Sequence, residues 1–434
     1  MTVRRLRNRK AQLADAAAEL FRKHGYHQVS VHDIAAAAGV TGPAVYRHFR
    51  GKQDILAHVL LSGMDVFGLV TEEALAEPGS PAEQLDGLLR AVAALAVDRR
   101  EVTALWRWEG RHLDRADQAK IRHRGGELMA QWGIALRDAR PELSTADAEL
   151  LCWAALSVFG SVSVHHVSLP RRRFEACLSE LAAAVLAWGP PTGGPAEPAP
   201  PRPAATTSVS GSEGAFAGWT DEQRSREERT TSSAGGTPAS QRPSAANRLA
   251  PSRREELLSA ATRLFGDRGF HAVSMEDIGA AAGIAGPSIY RYFPGKSAIL
   301  VAAGYRMADR LARSADTAIG EGGDPRDRLT RLVSSYVDIL LASESLMATF
   351  VSELDNLPDP DRKELVRVQR SYVAQWTGQL RTLAPELSEP EARITVHAAL
   401  TIVNDLARTP RIAARPGIAA ELAELAVTVL EARK

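Results

Sequence analysis

DIAAAAGVTGPAVYRHFRGKQDIL, residues 33–56, and DIGAAAGIAGPSIYRYFPGKSAIL, residues 277–300, decide how this chain folds. They are one stretch written twice, 244 residues apart. Between Leu20 and Leu56, 21 of 37 positions match their partners at that offset without a gap, where chance in an alanine-rich chain gives only a few. The register persists further along. Gln131-Trp132 meets Gln375-Trp376, Pro141 to Ser144 meets Pro385 to Ser388, and Ala154 to Leu156 meets Ala398 to Leu400. The duplication therefore spans a whole domain.

Within one copy, Leu13, Ala16, Ala17, Leu20 and Phe21 recur at helical spacing, and Gly25, like Gly269 in the second copy, supplies the residue that ends such a helix. Ser30 followed by Asp33, repeated as Ser274 and Asp277, has the spacing of a capping box and starts a short second helix. Gly39 permits a tight turn. Gly42-Pro43 and Gly286-Pro287 then open a third helix, at whose first turn proline's missing N–H costs nothing. This segment, Gly42 to His48 and Gly286 to Tyr292, turns Val45 or Ile289 inward. It leaves Tyr46, Arg47 and His48, or Tyr290, Arg291 and Tyr292, pointing outward. Lys52 and Lys296 open a fourth helix, where a cation can meet a phosphate. Helix, short turn and helix with a Tyr-Arg-aromatic surface suits phosphates and base edges.

Charge points the same way. Residues 1–60 hold ten Lys or Arg against four Asp or Glu, and residues 242–306 hold nine against five, although the whole chain carries only +1. The basic excess lies where the motif puts the phosphates, and the remainder of the chain is acidic.

The two quoted stretches resemble the signature of the TetR family of regulators, a tandem form of which is known in actinobacteria. The likeness covers roughly the first 60 residues of each copy. It implies that the third segments are recognition helices entering the major groove of double-stranded operator DNA. Tyr46, His48 and Lys52, with Tyr290, Tyr292 and Lys296, would hold the DNA backbone. Arg47 and Arg291 would reach base edges or adjacent phosphates, with Thr41 at the start of the first recognition helix and Ala285 in its place in the second.

The expected fold is all-α: two TetR-like repeats, each a three-helix helix-turn-helix domain followed by a helical ligand and dimerisation domain. The boundaries are 1–60, 61–188, 251–304 and 305–434, with a disordered Pro/Gly/Ser-rich linker at 189–250. A flexible coil of that length spans on the order of 45 Å. The resemblance implies a dimer interface made by the last two helices of each repeat: Ser144 to His166 with Arg172 to Trp188, and Ser388 to Ala407 with Gly417 to Ala432. Trp106, Trp108, Glu109 and Trp132, with Glu353 and Trp376 in the second copy, are candidates to line a pocket for a small apolar or acyl-type effector, against the plainer reading that they fill the core.

No nucleophile elbow, paired-acid motif, HExxH or metal-ligand cluster is present, so neither enzyme activity nor a cofactor is expected. Adjacent His165 and His166 point about 100° apart on a helix, poor geometry for one metal. Cys152 and Cys177 lie in apolar sequence and read as buried thiols. The N-terminus MTVRRLRNRK has no apolar run behind its charges, and no stretch of about 18 uninterrupted apolar residues occurs, so a cytoplasmic location is expected. The functional expectation is a ligand-responsive repressor whose two heads grip an asymmetric or imperfectly palindromic operator as an intramolecular pseudo-dimer. The alternatives are a chain-level homodimer bridging operators and a scaffold or sensor whose second head is silent.

Overall fold

Hydroxyl and carboxylate caps set the helix starts. Ser80 and Glu83, and Ser388 and Glu391, close capping boxes, while Ser144, Asp114 and Asp324 each accept the backbone N–H three residues on. Each such cap is worth about 1 kcal/mol. The computed structural model describes residues 2–100, 103, 105, 110–189, 253–284, 286–343, 353 and 356–433. The linker expected at 189–250 lies, beyond Gly189, outside them. Every regular element among the described residues is helical.

The first repeat runs α1 (Thr2–Gln28), α2 (Val31–Ala37), α3 (Gly42–Val45), α4 (Lys52–Ala76), α5 (Pro81–Asp98), a 3-10 turn at Gly110–His112, α6 (Arg115–Ala139), α7 (Thr145–Gly160) and α8 (Arg171–Ala187). The second runs α9 (Arg253–Arg268), α10 (Met275–Ala281), a 3-10 segment at Gly286–Arg291, α11 (Lys296–Gly320), α12 (Pro325–Ala342), α13 (Asp359–Leu383), α14 (Glu389–Ala407), α15 (Pro410–Ala413) and α16 (Ile418–Glu431). The chain divides into two compact units. One holds the first repeat together with residues 308–343 and 363–433; the other holds residues 253–307 and 353–362 of the described chain.

In the first unit, helices of both repeats form one bundle: α7 packs on α14, and α8 on α16. α7 is buried along most of its length, from Ala148 through Leu151 and Ala155 to Phe159, and α14 from Ala392 to Ala407. A helix apolar on nearly every face must be buried on every face. By length and composition Lys52–Ala76 and Thr145–Ser163 could also cross a membrane, but 67% of the apolar window of the latter is buried inside this fold.

Ion pairs border the seam between the repeats. Arg173 meets Glu391 at 2.6 Å, Arg415 meets Asp147 at 2.6 Å, Arg433 meets Glu180 at 2.7 Å, and Arg411 stands 3.8 Å from Glu149. Burial by itself would raise the Glu391 carboxyl, but the Ser388 hydroxyl and N–H, with Arg433 at 3.1 Å, outweigh it and bring the group down to about 2. His165 and His397 lie with ring centroids 4.8 Å apart. Burial, then neighbouring cations, holds them neutral, His165 at about 2 and His397 at about 4. Cys152 and Cys177 are buried free thiols, pushed up by that burial to about 12 and about 11.

Candidate nucleic-acid interface

Each head is built the same way. Leu13, Ala17 and Phe21 in the first, and Leu257, Ala261 and Phe265 in the second, are at most 1% exposed and form the inner face of the first helix. That helix is broken at Gly25 (φ 74°) or followed by Gly269 (φ 77°). The Ser30 hydroxyl accepts from the Asp33 N–H at 3.2 Å while the Ser30 N–H donates to the Asp33 carboxylate at 2.8 Å; Ser274 and Asp277 repeat this at 3.1 and 2.9 Å. These bonds, the Ser30 hydroxyl foremost, hold the Asp33 carboxyl below its ordinary range. Gly39 and Gly283, both at φ 64°, make the turn in the left-handed region that side chains avoid.

The third segments then diverge. Gly42–Val45 is a short α-helix, entered through an i to i+3 bond from the Ala44 N–H to the Thr41 C=O at 2.9 Å, whereas Gly286–Arg291 winds as a 3-10 helix. Both bury the expected apolar residues: Val45 and Phe49, Ile289 and Phe293 are at most 2% exposed. Both leave the tyrosines outside, Tyr46 at 61%, Tyr290 at 50% and Tyr292 at 40% exposure. Thr41, Pro43, Arg47, Pro287 and Arg291 are exposed and His48 is half-buried. Ala285 lies outside the described residues.

The lysines, expected at the phosphates, bond carbonyls of their own heads. Lys52 Nζ donates to the Tyr26 carbonyl at 2.7 Å and sits 4.3 Å from the centre of the Tyr26 ring. Lys296 Nζ donates to the carbonyls of Phe270, Val273 and His271 at 2.8, 3.0 and 3.3 Å, under the Phe270 ring at 4.6 Å. An ammonium has three protons, and Lys296 uses all of them inside the protein. These lysines cap the loop that follows the first helix, where carbonyls lack helical partners.

Other contacts were not anticipated from the sequence. Lys10 lies 5.1 Å from the centre of the Phe49 ring, and its counterpart at the 244-residue offset, Arg254, lies 4.6 Å from that of Phe293. His27 packs on His112 at 4.4 Å, and at the same offset His271 bonds Asn356 at 2.6 Å, so each head is tied at one register to the segment ahead of the long sixth helix of its repeat. The offset pairing of Lys10 with Arg254 and of His27 with His271 was the available signal. Leu105, Leu113 and Ile121 complete the core of the first head.

Three of the six expected pocket residues, Trp132, Glu353 and Trp376, fall among the described residues. Trp132 is 1% exposed, packed on Phe67 and Phe159, with its N–H donating to the Thr71 hydroxyl at 3.3 Å. Trp376, also 1% exposed, packs on Tyr336 and Tyr372. Glu353 is buried and accepts from Asn356 at 2.6 Å. Trp106, Trp108 and Glu109 lie outside the described residues.

Residues 13–59 and 257–303 each match the model of bacterial regulatory proteins of the tetR family, and residues 322–408 match that of a tetracyclin repressor-like C-terminal domain. The HTH-type transcriptional activator FasR of Mycolicibacterium smegmatis is 29% identical over 156 residues, which cover 36% of this chain and 71% of FasR. The HTH-type transcriptional regulator BetI of Rhizobium meliloti is 30% identical over 157 residues, 36% of this chain and 76% of BetI. Among solved structures, the ketosteroid transcriptional regulator KstR2 of Mycobacterium tuberculosis aligns with 20% identity and a TM-score of 0.37, covering 42% of this chain and 95% of KstR2. With the family's DNA-binding domain present twice in one polypeptide, this chain belongs to the TetR family of DNA-binding transcriptional regulators.

Proposed function

We propose that one chain grips one operator with both heads and represses transcription as an intramolecular pseudo-dimer. The observation that carries this reading is the seam: α7 and α8 of the first repeat pack on α14 and α16 of the second, within one polypeptide. An ordinary homodimer of this family would supply such helices from two chains. In this reading Thr41, Gly42, Pro43, Tyr46, Arg47 and His48 enter one major groove, and Ala285, Gly286, Pro287, Tyr290, Arg291 and Tyr292 another. Tyrosine and histidine hold phosphates; arginine reads base edges or adjacent phosphates. Because His48 faces Tyr292 in the alignment, and His32 faces Glu276, the two half-sites differ in sequence.

Response to a small effector is part of the same reading. In this reading the effector is held within the helical body, where Trp132 and Trp376 are packed. A DNase footprint upstream of the chain's own gene supplies a short duplex, and light scattering of the complex then counts chains. One chain per duplex is expected, and two chains per duplex would overturn the pseudo-dimer.

A further inference from the structure

The second repeat carries a cleft of about 350 Å³ between α13 and α14, lined in part by Arg370, Thr377, Gly378, Arg381, Glu389 and Arg393. Arg370, Thr377 and Arg381, spaced at seven and four residues, share one face of α13. This face borders the core face, which buries Val373, Trp376 and Leu380: Thr377 is itself buried, while Arg370 and Arg381 are exposed. Thr377 turns its hydroxyl back to the Val373 carbonyl at 2.8 Å, which leaves the three guanidiniums as the cleft's charged donors.

Among the described residues none of these three arginines has a carboxylate within 4 Å. The arginines of the neighbouring seam, Arg173, Arg411, Arg415 and Arg433, all do. Positive charge continues beyond the cleft. Arg100, half-buried, gives its Nε–H to the Val162 carbonyl at 2.5 Å, and its other nitrogen stands 3.4 Å from His165. Burial first, and then cations including Arg100 and Arg393, keep His165 neutral, while Arg370 and Arg100 add to burial in depressing His166. Among the described residues Glu389 is the single carboxylate in the cleft lining.

The arrangement belongs to the second copy. At the corresponding positions of the first, Gly126 stands for Arg370 and Glu149 for Arg393; Arg137 alone is kept. Duplicated helices with the same core thus differ by a concentration of unneutralised guanidiniums in a concave site. A guanidinium presents a planar fork of N–H donors that matches oxyanions bidentately, and a cleft of this volume lies at the small end of ligand sites.

We propose that this cleft binds a small molecule through phosphate or carboxylate groups, held by Arg370, Arg381 and Arg393. The site is separate from the DNA-reading heads, and the inference does not depend on how many chains occupy an operator.

The test uses the full chain at fixed ionic strength, titrated with inorganic pyrophosphate and, separately, with citrate, against sodium chloride. Thermal unfolding and calorimetry are the readouts. The expected result is saturable binding of at least one anion, with a rise in Tm of a few degrees at about a hundredfold excess over Kd. Stronger binding of pyrophosphate assigns a phosphate-bearing ligand, and of citrate a carboxylate-bearing one. Arg370→Gln with Arg393→Gln weakens binding by roughly tenfold or more. Glu389→Gln strengthens it, an outcome that misfolding cannot mimic. No saturable binding of either anion, or binding unchanged in both the arginine and the glutamate variants, would overturn the proposal.

Discussion

The first head and the second head share a core, a capping box and a lysine tether, yet they present different surfaces and wind their third segments differently. In the first, Ala35 sits under the turn and its carbonyl accepts from Val40 at 2.9 Å; in the second, Gly279 takes that place and accepts from Ile284 at 2.8 Å. A Cβ on Gly279 would lie 2.9 Å from the Ile284 carbonyl oxygen, closer than real contacts allow, so the second turn is drawn in more tightly. The loop after the third segment differs too. Arg50 donates its N–H to the Asp54 carboxylate at 2.9 Å, while the second copy has Pro294, which has no N–H, and Ala298, which has no side-chain acceptor. Donor and acceptor are both absent there, leaving nothing unsatisfied. The difference teaches that the scaffold of a reading head can be held constant while its groove-facing segment changes.

The largest expected effect breaks the comparison on DNA. Tyr46→Ala with Arg47→Ala, and separately Tyr290→Ala with Arg291→Ala, should each weaken operator binding on the order of 100-fold at fixed salt, with the salt slope falling by about 1 for each phosphate that is no longer neutralised. Unchanged affinity in the second pair would mean a silent second head. Next comes the tether that the heads share. Lys52→Met and Lys296→Met should each cost about 2 kcal/mol, because the carbonyls they cap are left without their charged donor; urea unfolding monitored by circular dichroism measures it. Where the heads differ, Gly279→Ala should destabilise by about 1–2 kcal/mol through the clash with the Ile284 carbonyl, while Ala35→Gly costs about 1 kcal/mol from helix propensity. A neutral or stabilising Gly279→Ala would erase the difference between the turns.

The seam gives a pH test that involves both repeats. His165 and His397 are held below the ordinary histidine value, so the folded chain keeps them neutral while the unfolded chain takes up protons below about 6.5. Their contribution is intact above pH 6.5 and is lost progressively as pH falls, towards about 4 for His397 and about 2 for His165. The loss should be on the order of 2 kcal/mol for each of the two histidines at pH 5, and roughly halved in His397→Leu, by denaturant midpoints across that range. The smallest effect is a matched pair: Ser30→Ala and Ser274→Ala should each cost about 1 kcal/mol and agree with one another, since the two capping boxes are alike to within about 0.1 Å.

Much of each head could be read directly from the residues. Ser30 and Asp33 announced a cap, Gly39 a turn, and Val45 an inward side chain, because these are local consequences of backbone geometry and helical period. The intramolecular bonds of Lys52 were not legible for the opposite reason: its partners, the Tyr26 and His27 carbonyls, are separated from it by about half a head, and a lysine at a helix start gives no local sign of them. Trp132 and Trp376 suggested a pocket by type, but whether an aromatic fills a core or lines a cavity depends on what packs around it.

The sequence by itself determined the duplication, the helical class, the two helix-turn-helix units and the tyrosine and arginine side chains they expose, since repeats, caps and periodicity act over a few residues. Only the tertiary structure decided that α7 and α8 meet α14 and α16 along a seam bordered by ion pairs, that the lysines bond carbonyls of their own heads, and that Arg370, Arg381 and Arg393 line one cleft with no carboxylate within 4 Å of them among the described residues. Those facts rest on residues far apart in the chain, whose distances are set by packing and not by spacing.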